Sequence, residues 1–197
     1  MSDKNMTEET EQDPQQVEDP AQADYNRGKE MLQAGDEALA ASCFHNALVG
    51  FEQGNNEKGI ANASDRLGDI CAAKDEHAKA IEHYERAFAI CNKEKDRFSL
   101  VALLKKMVIS KKALKQYDEA VNNYLQIIDI YAGYNNPAGT VAAMEELADL
   151  YLDVGESQKS ADTFRTIASI HKNFKHNILA QEFTAKAEQV EQGTYIR

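Results

Sequence analysis

Apolar residues recur along this chain in stripes with helical spacing. Ala80, Ile81, Tyr84, Ala87, Phe88 and Cys91 fall at i, i+3, i+4 and i+7, and Ala120, Val121, Tyr124, Ile127, Ile128 and Tyr131 repeat the pattern. Clusters of turn-forming and polar residues separate the stripes. Gly54-Asn55-Asn56, the run Asn92 to Asp96, and the run Gly133 to Pro137 close long units. Gly35-Asp36, Lys74-Asp75-Glu76, Lys115-Gln116 and Gly155-Glu156 divide each unit in two. The pattern predicts helices near 21–34, 37–53, 58–73, 77–92, 97–113, 117–132, 138–153 and 157–173. A ninth, near 176–192, sets Ile178, Leu179, Phe183 and Val190 against a charged opposite side, as a capping helix does.

The units repeat at a spacing of 40 residues. Gly28, Gly68, Val108 and Ala148 form one column, and Ala40, Ala80, Ala120 and Ser160 a second. Phe44, Tyr84, Tyr124 and Phe164 form an aromatic third, followed by Ala47, Ala87, Ile127 and Ile167. Small side chains on both helices of a pair allow close approach, and the aromatic one turn further along is expected to fill the space toward the next pair. One such unit cannot bury its apolar face alone, so copies stack.

These columns resemble the tetratricopeptide repeat (TPR) family. Leu67-Gly68, Ala80, Tyr84 and Ala87 match its pattern, as do Leu147, Tyr151 and Phe164, and Ala40, Phe44 and Ala47. The 40-residue unit is most similar to the longer-helix branch that includes spindle-orientation adaptors and kinesin light chains. Arg27 in place of the usual Leu, Val108 in place of Gly, Lys111 in place of an aromatic and the absence of Trp depart from that pattern. The resemblance implies an all-α, right-handed α-solenoid of four TPR-like helix pairs plus a C-terminal capping helix. The expected divisions are an acidic tail over 1–20, repeats over 21–60, 61–100, 101–140 and 141–175, and a cap with its tail over 176–197.

Charge changes this picture only at the start of the chain. Residues 1–24 carry eight carboxylates against Lys4, most of a formal charge of -11, with few large apolar residues, so a disordered tail is expected over 1–20. No basic stripe is free of nearby acids, which excludes nucleic acid as the expected partner. No segment approaches the roughly twenty apolar residues of a membrane span, and the N-terminus lacks a signal-peptide pattern. A cytoplasmic protein without membrane insertion is expected. Cys43, Cys71 and Cys91 are odd in number and fall at core-like positions, suiting buried thiols in a reducing compartment.

No nucleophile, phosphate-binding or metal motif is present. His77 with His83, and His171 with His176, are six and five residues apart, spacings that place them on different faces of a helix. The reading is therefore non-enzymatic, with no cofactor and no metal.

What the resemblance does imply is a groove lined by the first helix of each pair. Its stripe at i, i+3, i+7, i+10 includes Tyr25, Lys29 and Leu32; Asn62, Asp65 and Asp69; Lys105, Ile109 and Lys112; and Glu145 and Asp149, with Asp153 alongside. A pure packing face would be apolar there, although exposed charge is often merely solvated. The expected groove is acidic with a basic centre at Lys105 and Lys112, and it holds a peptide or helix of a protein partner. The family's carboxylate clamp for chaperone C-termini is disfavoured, because Tyr25, Lys29 and Arg66 occupy its places. The rival reading is a structural subunit or homo-oligomeric scaffold of a larger complex.

Overall fold

The computed structural model describes residues 19–196; the expected acidic tail lies, but for Asp19 and Pro20, outside them. Among the described residues there are nine helices: α1 (Pro20–Gln33), α2 (Glu37–Gln53), α3 (Glu57–Ala73), α4 (His77–Glu94), α5 (Arg97–Ala113), α6 (Tyr117–Gly133), α7 (Pro137–Asp153), α8 (Ser157–Asn173) and α9 (Asn177–Glu191). Each packs chiefly on its neighbours in sequence, which makes the array an α-solenoid of four pairs and a final helix. None of the helices is long and apolar enough to cross a membrane.

The turns repeat at half the sequence period. Gly35, Asn55, Asp75, Lys95, Lys115, Asn135, Gly155 and Lys175 stand 20 residues apart, and every one has φ between 52° and 81°. After each, the next backbone N–H returns to the last turn of the helix just ended, as in Asp36 to Met31, Glu76 to Cys71 and Gln116 to Lys111, the left-handed ending that satisfies orphaned carbonyls. The new helix then starts at once. Asp36, Asn56, Asp96 and Asn136 accept from the N–H three residues on, at 2.9 to 3.2 Å.

Packing within a pair turns on the small column. A Cβ on Gly28 would stand 2.8 Å from Phe44, and one on Gly68 would stand 2.5 Å from Tyr84. The aromatic thus lies over the small residue of its own pair, where the sequence pattern alone placed it toward the next pair. Between pairs a second set of contacts operates: Phe51 of α2 sits where a Gly59 Cβ would be, and Tyr131 of α6 where a Gly139 Cβ would be. Ala40, Ala80 and Ala120 are fully buried at the close crossings.

Candidate functional site

The face formed by the odd-numbered helices carries a ladder of ordered charge. Successive odd helices are joined by contacts between residues 41 apart. Arg66 of α3 hydrogen-bonds the Tyr25 hydroxyl of α1. Lys106 of α5 donates to Asp65 of α3 at 2.6 Å. Lys105 of α5 donates to Glu146 of α7 at 2.9 Å. Lys186 of α9 lies 3.6 Å from Glu145 of α7. A further pair of the same spacing joins Lys112 to Asp153 at 3.3 Å. These groups are half-buried or exposed, so each rung is accessible to solvent.

The rung at α3 and α5 is the densest. Lys106 reaches Asp65 and Asp69 together, at 2.6 and 2.8 Å, and stands 5.6 Å from the centre of the Tyr84 ring. The Tyr84 hydroxyl donates to Asp69 at 3.0 Å. Burial, with the Asp69 and Asp65 carboxylates adding to it, pushes the Tyr84 phenol well above its ordinary range. Burial and then Glu146 do the same to Tyr124. Both phenols are therefore held neutral as donors.

The residues expected to line the groove take distinct places. Tyr25 is half-buried against Phe44 and Phe51, at centroid distances of 5.4 and 6.4 Å, and Leu32 packs on the same core, so both carry packing duty. Lys29 and Asn62 are exposed. Asp65 and Asp69 converge on Lys106, a residue the stripe passed over. Lys105, Lys112 and Glu145 each have an ion-pair partner on the next odd helix. Asp149 and Asp153 lie on the same face of α7, half-buried and exposed respectively. Ile109, at 65% exposure, stands between the rungs as an uncovered apolar side chain. The basic centre expected from Lys105 and Lys112 is thus a set of lysines already facing carboxylates.

One other expectation changes. His171 and His176 do not point apart: α8 ends at Asn173 and the chain reverses, which brings their Nδ1 atoms to 3.5 Å. His171 also stacks on Phe183, with 5.4 Å between centroids and 13° between planes. Lys111 is buried, reaching Asn123 at 3.4 Å and Glu119 at 3.5 Å from inside the core. Cys43 and Cys91 are buried and Cys71 is half-buried. Among the described residues no group of three His, Cys, Asp or Glu side chains is placed so that it could hold a metal ion.

Solved structures share this architecture at low sequence identity. A protein of Podosopora anserina assigned as a kinesin light chain, with nearly identical TPR-like repeats, aligns with a TM-score of 0.66 at 19% identity over 90% of each chain. The apo form of RapI aligns with a TM-score of 0.69 at 14% identity, covering 88% of this chain and 64% of that one. BtubC from P. vanneervenii aligns at 0.58 and 14% identity, over 86% and 80%. At such identities these likenesses establish the fold, a TPR-like repeat scaffold. Among curated proteins none matches the sequence. The family model for the soluble NSF attachment protein, SNAP, matches residues 6–135, about two thirds of the sequence and the first three helix pairs, and the chain accordingly belongs to the SNAP family.

Proposed function

We propose that the protein is a non-enzymatic adaptor or chaperone that holds a peptide segment or helix of a protein partner against the face of its odd-numbered helices. The observation that carries this reading is Ile109, 65% exposed at the middle of a face whose charges are pre-positioned by neighbouring helices. An apolar anchor ringed by ordered charges suits recognition better than solubility alone. The family's name, attachment to NSF, describes binding to another protein and agrees with such a role. A cytoplasmic setting, with free thiols at Cys43, Cys71 and Cys91, fits the same reading.

A photo-crosslinking residue at Ile109, compared with one at the exposed Leu125 on α6, tests the surface. Protein partners captured from the source cell are expected at 109. Capture at 125 alone would move the site to the even-numbered helices. The reversals Lys105→Glu and Lys112→Glu together are expected to abolish that capture with helical content unchanged.

The rival reading, edge-to-edge stacking into a scaffold, is disfavoured by both end helices. At the positions where α3, α5 and α7 bury Leu67, Met107 and Leu147, and Ile70, Ser110 and Leu150, α1 presents exposed Arg27 and Glu30. At the place where Gly68, Val108 and Ala148 receive an even helix, α9 carries exposed Glu188. Stacking would bury those charges without partners. Light scattering is expected to give a monomer at micromolar concentration.

A further inference from the structure

The junction between α7, α8 and α9 is unlike the three earlier junctions between pairs, at α2/α3, α4/α5 and α6/α7. Along the first column the residues are Phe51, Cys91, Tyr131 and His171, and eight positions later Gly59, Ser99, Gly139 and Leu179. Where the first column holds a large ring, the second holds glycine, and the ring drops onto the next helix: Phe51 onto Gly59, Tyr131 onto Gly139. At the last junction Leu179 occupies the glycine position. The His171 ring cannot settle there and stacks on Phe183 instead. A cleft of about 560 Å³ is left between α7 and α9, within the roughly 300–1,000 Å³ of ligand-accepting pockets. Val141, Ile170, Phe174, Leu179 and Phe183 give it an apolar lining. Phe174 is 55% exposed and Leu179 39%.

The cleft is continuous with the groove face, because Glu145 of the odd-helix stripe and Ala142, one turn before it on α7, form part of its wall. Its charges are asymmetric. Lys186 is engaged, 3.6 Å from Glu145 and 4.4 Å above the Phe183 ring. Glu182, exposed at the rim, has no ion pair or hydrogen bond among the described residues. The described part of the molecule thus offers an apolar recess beside one unmatched carboxylate.

We infer that this cleft is the anchoring pocket of the groove: it takes a leucine, methionine or phenylalanine side chain of an amphipathic partner segment, and a lysine or arginine of that segment meets Glu182. Desolvating a large apolar side chain supplies the affinity, and the free carboxylate sets the register and rejects acidic segments. The inference rests on the reading that the odd-helix face holds a protein segment, and it adds where the anchor goes and what charge accompanies it.

Selection of short helical peptides from a displayed library against the full chain tests it, with the selected peptides, fluorescently labelled, as probes. The expected peptides share one large apolar anchor and a Lys or Arg about one turn away. Leu179→Asp, at a position exposed enough to tolerate it, is expected to weaken them at least about tenfold with an unchanged melting curve. Glu182→Lys is expected to do the same, with recovery when the peptide's basic residue is exchanged for Glu. Selected peptides that bind both variants as tightly as the parent, or no selected peptide at all, would overturn the inference. The double reversal Lys105→Glu with Lys112→Glu separates the two levels: loss there together with indifference to Leu179→Asp keeps the groove and removes the pocket, and the opposite pattern keeps the pocket and removes the groove centre.

Discussion

Gly68 and Tyr84 occupy one another's space: a methyl group on Gly68 would stand 2.5 Å from Tyr84 Cε1 and 2.7 Å from Cδ1. The ring is buried and bonded through its hydroxyl to Asp69, so it cannot swing aside without losing that partner. Gly68→Ala is expected to destabilise by about 1–3 kcal/mol despite alanine's better helix propensity. Gly133→Ala, where nothing outside the helix's own nearby backbone lies within 4 Å of the added carbon, serves as the control and is expected to be neutral or slightly stabilising in urea titrations. Equal effects at the two sites would sink the packing account.

The left-handed turn residues supply the opposite kind of test. Lys115 has φ of 60°, a conformation that costs a residue with a Cβ roughly 1–2 kcal/mol. Lys115→Gly is expected to raise stability by about 0.5–1 kcal/mol after glycine's greater unfolded freedom is subtracted. Gly155→Ala, at φ of 80°, is expected to lower it. Thermal melts of both variants decide the matter.

Lys106 is expected to matter more for folding than its neighbour Lys105. It neutralises two carboxylates at once and covers the Tyr84 ring, whereas Lys105 has the single partner Glu146. Lys106→Met should cost about 1 kcal/mol and Lys105→Met about half that or less, because solvent screens these part-exposed pairs. The gap should narrow at high salt. A salt-independent gap would assign the effect to packing of the lysine stem.

Alkaline pH should loosen the array through Tyr84 and Tyr124. Both phenols titrate above their ordinary value of 10.0 in the fold, so the folded state keeps protons that the unfolded chain releases. Their contribution is complete below pH about 10 and is lost as pH rises beyond it. Replacing both with Phe is expected to flatten the fall in stability over that range relative to the parent chain. An unchanged slope would mean that the lysines alone account for it.

Much of this architecture is legible in the residues themselves. The columns at 40 are legible because each obeys a steric demand that only a few side chains meet, and helix limits follow from caps such as Asp36 and Asn56. Lys106 was not legible as a site residue. A helical stripe counts positions on one helix, whereas the contacts between odd helices fall one residue off the repeat, at 41. The meeting of His171 with His176 escaped for a related reason: spacing rules hold along one helix, and these two flank a reversal. The cleft beside Leu179 was visible in principle as a large residue in a column otherwise of Gly and Ser, once Gly59 and Gly139 are known to receive rings.

The rungs between odd helices also say how the array deforms. Inside the first two pairs, Phe44 seated on Gly28 and Tyr84 seated on Gly68 leave no slack, so each of these pairs moves as one stiff block. From pair to pair Phe51 on Gly59 and Tyr131 on Gly139 hold the joint, and the odd helices are tied further by hydrogen bonds and ion pairs of part-exposed side chains, which weaken as the surrounding electrolyte thickens. The joints between pairs are therefore apolar at their core and ionic at the face of the odd-numbered helices. Salt therefore acts on that face and leaves the packed joints alone: in concentrated electrolyte the rungs slacken first, and most where Lys106 holds two carboxylates.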